Sequence, residues 1–292
     1  MKLTMLGTGN ALVTEVYNTC FLLEDETREN DGYFLVDAGG GNGILKQLKR
    51  AGTNWRDVHE IFITHKHIDH FLGALWLIRM ILQKSAKGET NIYGHDEVIS
   101  LLLLTSRALL NEKEIGQIGK TLHFIAVSDG ESRTILGREV TFFDIRSTKA
   151  KQYGFRMRLK NGEKFTCCGD EPYNDCEEKY AKGSEWLMHE AFCLYSQADK
   201  FSPYEKHHST VKDACALAEL LGVKNLILYH TEDSAIQRRK EAYAEEGKAF
   251  YHGNLFIPDD LESVDIKEEQ RRCSLYILRQ KANARTPKNF IT

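Results

Sequence analysis

The stretch Thr64-His65-Lys66-His67-Ile68-Asp69-His70 gathers three imidazoles and one carboxylate directly behind the apolar run Ile61-Phe62-Ile63. A short apolar run of this kind reads as a buried strand, so the cluster begins where a strand ends and the backbone must turn. Neutral imidazole nitrogens and carboxylate oxygens are the ligands that zinc prefers and that manganese and iron accept. Side chains at i and i+2 of an extended segment share a face, so His65 and His67 are expected to grip one ion. The turn that follows is expected to direct Asp69 and His70 at a second ion nearby.

Upstream of this cluster, residues 2–6, 19–23 and 33–36 alternate in the strand manner, with glycine or charged loops between them, and read as a β-meander. Gly39-Gly40-Gly41 leads into a helix whose apolar face is Ile44, Leu45 and Leu48. Downstream, 72–83 and 97–111 read as helices. Strands are expected at 91–93, 140–145, 153–159 and 165–168. The order then repeats: a strand at 186–188, a helix at 211–221, and a strand at 225–228 with His230 at its end, as His65 stands at the end of the first. A helix at 236–246 and a strand at 263–267 follow.

This mixture predicts an α/β fold in which two sheets are sandwiched between outer helices, a four-layer αββα arrangement with functional residues at the ends of central strands. With only four prolines and no low-complexity stretch, residues 1–267 are expected to form one domain. Residues 268–292 collect Arg271, Arg272, Arg279, Lys281, Arg285 and Lys288. With both Glu268 and Glu269 at its start and no acidic residue after them, the segment reads as a basic extension, a solvated tail or a packing strand.

Composition limits the partners. The chain has 292 residues, 42% hydrophobic and 28% charged, with a formal net charge of −3. That balance supplies no global field toward nucleic acid or an anionic membrane. The apolar runs at 72–82 and 99–104 are too short or too interrupted to span a bilayer, and the chain opens directly on a strand pattern, so a cytoplasmic location is expected. Seven cysteines without paired CxxC spacing indicate neither a disulfide framework nor a zinc ribbon. Cys167 and Cys168 are expected to pack in a buried strand. Gly7-Thr8-Gly9 and Gly39-Gly40-Gly41 lack the spacing of a P-loop or dinucleotide fingerprint and read as turns.

His-x-His-x-Asp-His after a strand resembles the signature of the metallo-β-lactamase superfamily. Gly169-Asp170 matches its bridging aspartate, and Leu226-Ile227-Leu228-Tyr229-His230 its last histidine. Within the superfamily the chain is most similar to the ribonuclease Z-like group: Leu6-Gly7-Thr8-Gly9, Asn18-Thr19, Met188-His189-Glu190-Ala191-Phe192 and His208-Ser209-Thr210 all have counterparts there. The resemblance implies that His65 and His67 bind one metal ion, that Asp69, His70 and His230 bind another, and that Asp170 bridges them. A hydroxide between two zinc ions, with manganese or iron as alternatives, is the implied nucleophile. It further implies that Asp69 orients that nucleophile, that His208 contacts or protonates at the scissile phosphate, and that Glu190 orients a neighbouring histidine.

Three departures narrow what carries over. Where the family has a further histidine before a Gly-aromatic strand, Ser147 precedes Tyr153-Gly154-Phe155. The first ion is therefore left with His65, His67, Asp170 and water, is rescued by His95 or His123, or binds weakly. The family's tRNA-processing segment is reduced to Asp37-Ala38-Gly39-Gly40-Gly41-Asn42, which keeps only the aspartate. The tRNA-gripping arm is replaced by Lys160-Asn161-Gly162-Glu163. A folded RNA demands clustered cations, so a small-molecule phosphodiester is at least as well matched as RNA. The leading expectation is a metal-dependent phosphodiesterase. Hydrolysis of a carboxylic ester, lactone or thioester is the second, and a metal-binding regulatory protein with weakened catalysis the third. Residues 195–206 are expected to rim the pocket, and the resembled enzymes are commonly homodimers.

Overall fold

The computed structural model describes residues 1–25, 32–84 and 88–267. The basic extension at 268–292 lies outside the described residues. One seven-stranded sheet has the order β14-β1-β2-β3-β4-β5-β6, formed by Lys2–Gly7 (β1), Cys20–Glu24 (β2), Tyr33–Val36 (β3), Val58–Phe62 (β4), Thr90–Gly94 (β5), Leu122–Ala126 (β6) and Ser263–Asp265 (β14). The other has the order β13-β12-β11-β10-β9-β8-β7, formed by Ser132–Ile135 (β7), Arg138–Asp144 (β8), Tyr153–Arg158 (β9), Lys164–Cys167 (β10), Trp186–Glu190 (β11), Asn225–Tyr229 (β12) and Asn254–Phe256 (β13). Each sheet starts as an antiparallel meander and becomes parallel, at β3-β4 in the first and β10-β11 in the second. The repeat legible in the sequence is thus a structural near-repeat.

The period-two alternation of the strands creates the layers. In β2, Phe21 and Leu23 face the opposing sheet, while Cys20 and Leu22 face the helices. Between the sheets, Phe155 lies within 5.6–6.4 Å, ring centre to ring centre, of Phe21, Phe34, Phe62 and Phe165. Truncating a buried phenylalanine in such a place costs about 3–5 kcal/mol. Helices Gly43–Arg50 (α1), Ile68–Lys84 (α2) and Asp96–Leu109 (α3) flank the first sheet, followed by the short Glu112–Ile115 (α4). Beyond two further short helices, Glu178–Ala181 (α5) and Ala198–Phe201 (α6), the second sheet is flanked by Val211–Leu220 (α7) and Arg239–Gly247 (α8). The four-layer αββα sandwich is the observed fold. No described helix is long and apolar enough to cross a membrane.

Three strands had no sequence signal: β6, β7 and β13. The expected helix at 72–83 begins earlier, at Ile68, which moves Asp69 and His70 out of a turn and into a helical first turn. Residues 195–206, expected to rim the pocket, contain a 3-10 turn at Tyr195–Gln197 and then α6.

Candidate metal centre

The cluster sits at one end of the sandwich, on the connections that leave the parallel strands. Residues 63–67 leave β4 pinned by backbone bonds: Ile63 N donates to Tyr93 O at 3.0 Å, and Tyr153 N donates to Thr64 O at 3.1 Å. Helix α2 then starts with Asp69 in its first turn, where the helix dipole favours a carboxylate. This turn packs so closely on the β3 exit that Gly73 N donates to Gly39 O at 2.9 Å, and a methyl at Gly73 would lie 1.9 Å from Ala38 O. Asp37 and His230 both leave their strands in the left-handed region, with φ of 57° and 58°. That conformation costs a non-glycine residue about 1–2 kcal/mol, and here it turns both side chains out of their strands.

Four ligand atoms converge from these elements. His70 Nε2 lies 3.3 Å from both Asp69 Oδ2 and Asp170 Oδ2, and His230 Nε2 lies 3.6 Å and 3.4 Å from the same two oxygens. Ligands held about 2.0–2.2 Å from one tetrahedral ion are separated by about 3.3–3.6 Å along each edge, a range these four distances match, and the candidate ligand atoms fall into two groups that share His70, one of Asp69, His70 and His230 and one of His65, His70 and Asp170, each with its atoms within 4.8 Å of one another. Both Nε2 atoms are buried and make no hydrogen bond among the described residues, a state that costs stability unless a cation or proton occupies the space between. His65 Nε2 joins at 3.6 Å from Asp170 Oδ2. His67 is half-buried and its Nδ1 is 2.9 Å from His65 Nε2, but it belongs to none of the three-residue ligand clusters found among the described residues.

A buried layer beneath the cage sets its orientation. Asp37 accepts from Thr64 N at 2.8 Å and from the Thr64 hydroxyl at 2.9 Å, and its Oδ2 is 2.7 Å from His70 Nδ1. With Nδ1 donating to Asp37, His70 presents Nε2 to the cage. Tyr229 OH donates to Gly169 O, and Gln152 Nε2 donates to Asp170 Oδ1 at 2.6 Å. Burial alone would keep these groups neutral. At His70 the carboxylates of Asp69, Asp37 and Asp170 outweigh it and hold the imidazole well above its usual range. At Asp170 burial is likewise outweighed, by His65, His70 and His230, which hold the carboxyl well below its usual range. At His65 burial dominates and lowers the ring well below its usual range. Three carboxylates, Asp37, Asp69 and Asp170, therefore surround His70 and favour positive charge among them.

Beside the cage stands a second group. Glu190 Oε2 is 3.6 Å from His208 Nδ1, and ligand atoms of Glu190, His208 and His230 all lie within 4.8 Å of one another. Glu190 Oε1 accepts from Ser209 N, while the His208 ring stacks on Phe192 with centroids 5.1 Å apart and planes 6° apart.

All sequence-derived site residues except His67 thus meet in interlocking clusters. Ser147, at the expected histidine position, donates from Oγ to Glu171 Oε1 at 2.6 Å and accepts from Lys149 N and Ala150 N. The two rescuers do not arrive. His95 is fully buried beside Tyr153, His123 pairs with Glu89 at 3.0 Å, and neither belongs to a ligand cluster. The Cys167 and Cys168 thiols stay in the packed interior, where burial pushes Cys167 up to about 11. Sequence reasoning missed Gln152, Thr64 and Glu171, which act through long-range contacts that no local pattern announces. The approach of the Thr148 and His207 side chains to 3.4 Å was missed for the same reason.

Comparison with known proteins finds the same fold. Ribonuclease Z of Methanothermobacter thermautotrophicus is 25% identical, covering 91% of this chain and 97% of its own. The metallo-β-lactamase fold protein YhfI from Bacillus subtilis superposes with a TM-score of 0.71 at 18% identity, over 90% of this chain and 99% of that one. The short form of human tRNase Z gives 0.68 at 23% identity, over 91% and 100%. A family model described as "Anti-Pycsar protein Apyc1" matches residues 1–250.

Proposed function

The chain belongs to the Anti-Pycsar protein Apyc1 family, a metallo-β-lactamase-fold hydrolase resembling ribonuclease Z, and from that premise we propose that it is a metal-dependent phosphodiesterase acting on a small-molecule diester. The observation that carries the reading is the spacing of Asp69, His70, Asp170 and His230 around one point, with His208 and Glu190 alongside. These four residues would hold a divalent ion, with zinc the metal best matched to the ligand set, manganese and iron also accepted, and His65 and His67 at the adjoining position. The chemistry an ion supplies in such a cage is activation of water and neutralisation of charge on a phosphoryl oxygen.

The residues of the chain do the rest. Asp69 stands at the cage edge, where its carboxylate orients an attacking water. Asp37 keeps His70 in the tautomer that offers Nε2. Glu190 lies 3.6 Å from Nδ1 of His208, and its negative charge complements a protonated ring able to donate to the departing oxygen. Phe192, stacked on that ring, holds its plane and excludes water from one face.

The small substrate is favoured by what surrounds the site. The β9-β10 connection is a tight turn in which Gly162 N donates to Leu159 O at 2.8 Å, leaving no arm there for a folded RNA. Turnover of bis-p-nitrophenyl phosphate, a precursor tRNA and a panel of thioesters and lactones, with zinc and with manganese, tests the proposal. It expects the phosphodiester to turn over. Turnover of the carbonyl substrates alone refutes it, turnover of tRNA alone refutes the small substrate, and none at all favours a regulatory protein.

Two further features belong to the same reading. Exposed Leu72, Trp76 and Leu109 line a groove of about 340 Å³ between α2 and α3, an apolar surface suited to a second copy of the chain. Sedimentation should give a dimer that Trp76→Glu dissociates. Six free cysteines among the described residues, five of them buried, suit a reducing cytoplasm.

A further inference from the structure

Gln152 occupies the β8-β9 connection with 1% of its surface exposed. Its backbone is anchored on both sides: Ile145 N donates to Gln152 O at 3.1 Å, and the next residue, Tyr153, donates to Thr64 O at 3.1 Å. The side chain then reaches the far end of β10. Gly169 passes so near that a methyl there would lie 2.7 Å from Gln152 Nε2, which leaves the amide lodged against the backbone that presents Asp170. An ionised carboxylate only accepts, so the amide nitrogen is the end of Gln152 that faces it.

The consequence is an unequal carboxylate. Asp170 Oδ1 is taken by Gln152 at 2.6 Å, whereas Oδ2 stands 3.6, 3.3 and 3.4 Å from Nε2 of His65, His70 and His230. An untethered carboxylate exchanges its oxygens by rotating about χ2, a soft, roughly two-fold torsion. A buried, charge-assisted hydrogen bond resists that rotation.

We propose that Gln152 is a positioning residue that fixes Asp170 so that Oδ2 alone is the oxygen offered to the imidazole cluster and to any ion held there. The proposal rests on the metal-dependent reading above. It assigns the β8-β9 connection a task that its serine at position 147, tied to Glu171, does not perform: the connection supplies an orienting amide to the cage. Partners of this kind typically contribute 10–100-fold to metal affinity.

The test uses the full chain and zinc itself, titrated in competition with a chromophoric chelator. Gln152→Met keeps the length and removes the donor. Gln152→Glu keeps the shape and replaces the donor with an acceptor. Both should bind zinc about 10–100-fold more weakly than the native chain, while the Tm of the metal-free proteins stays within a few degrees and only the zinc-dependent rise in Tm shrinks. Zinc affinity within twofold of native in either folded variant, with Asp170→Asn losing it, overturns the role of Gln152. Equal falls in Tm with and without zinc overturn it too, since a residue that only packs would behave so. Native zinc affinity in Asp170→Asn instead refutes the metal site on which the proposal stands.

Discussion

Replacing Asp37 with asparagine isolates the support beneath the cage. The amide side chain keeps the volume, tolerates the left-handed backbone at φ 57°, and can still accept from Thr64 through its one carbonyl oxygen. What it cannot do is accept from Thr64 and from His70 Nδ1, 2.7 Å away in the native chain, with two oxygens. An amide NH₂ facing Nδ1 forces the ring to accept there and moves its proton to Nε2, the nitrogen that His70 turns toward Asp69 and Asp170. Binding an ion then requires breaking that arrangement. The loss is one hydrogen bond to a charged partner, about 1.5–3 kcal/mol, equivalent to about 10–150-fold in zinc affinity at about 1.4 kcal/mol per decade. Competition titration reads the affinity, and circular dichroism with thermal unfolding checks that the metal-free variant remains folded. Unchanged zinc affinity in a folded Asp37→Asn variant would refute the tautomer argument.

Three other outcomes follow from the same structure. His208→Ala should lower kcat by about 10²–10⁴ while zinc content by elemental analysis stays native; loss of the metal instead would make His208 a ligand. Gly73→Ala should unfold more readily, by about 3 kcal/mol, because the added methyl meets Ala38 O at 1.9 Å; urea denaturation showing equal or greater stability contradicts that packing. Glu177 is fully buried, and burial pushes its carboxyl up to about 8 from 4.5, against the smaller lowering by the Asn174 N–H it caps. The folded chain therefore holds a proton there that the unfolded chain releases above about pH 4.5. The associated stability is full below that pH and is lost as pH rises through about 8. At about 1.4 kcal/mol per pH unit, discounted for relaxation, the loss is about 2–4 kcal/mol. Glu177→Gln should be more stable than the native chain at pH 8.5 and nearly equal at pH 4.5; a stability difference independent of pH contradicts it.

How far the sequence reached depended on how local each determinant was. Alternation in β2 and the apolar run of β4 disclosed both the strands and their two-faced burial, because period two is written into consecutive residues. The same rule failed for β7, Ser132-Arg133-Thr134-Ile135, where three of four side chains are exposed and no apolar alternation exists to be read. Strand β13 has three residues, too few for a period. The start of α2 was placed late because Asp69 and His70 read as metal ligands in a turn rather than as the entry to a helix, although an acidic residue in the first turn is also a helix signal. In the site, the candidate ligands were legible as types and spacings. Their support was not: Asp37 and His70 are 33 positions apart, Gln152 and Asp170 are 18 apart, and both pairs meet only after the sheets pack. Ser147 was read as a lost ligand, and its bond to Glu171 could be known only once the two loops faced each other.

The most direct measurement is anomalous diffraction at the zinc absorption edge from crystals of the zinc-loaded protein. It should place a peak between Asp69 Oδ2, His70 Nε2, Asp170 Oδ2 and His230 Nε2, at about 2.0–2.2 Å from each. No peak at that point, or zinc bound only elsewhere on the chain, would contradict the central claim.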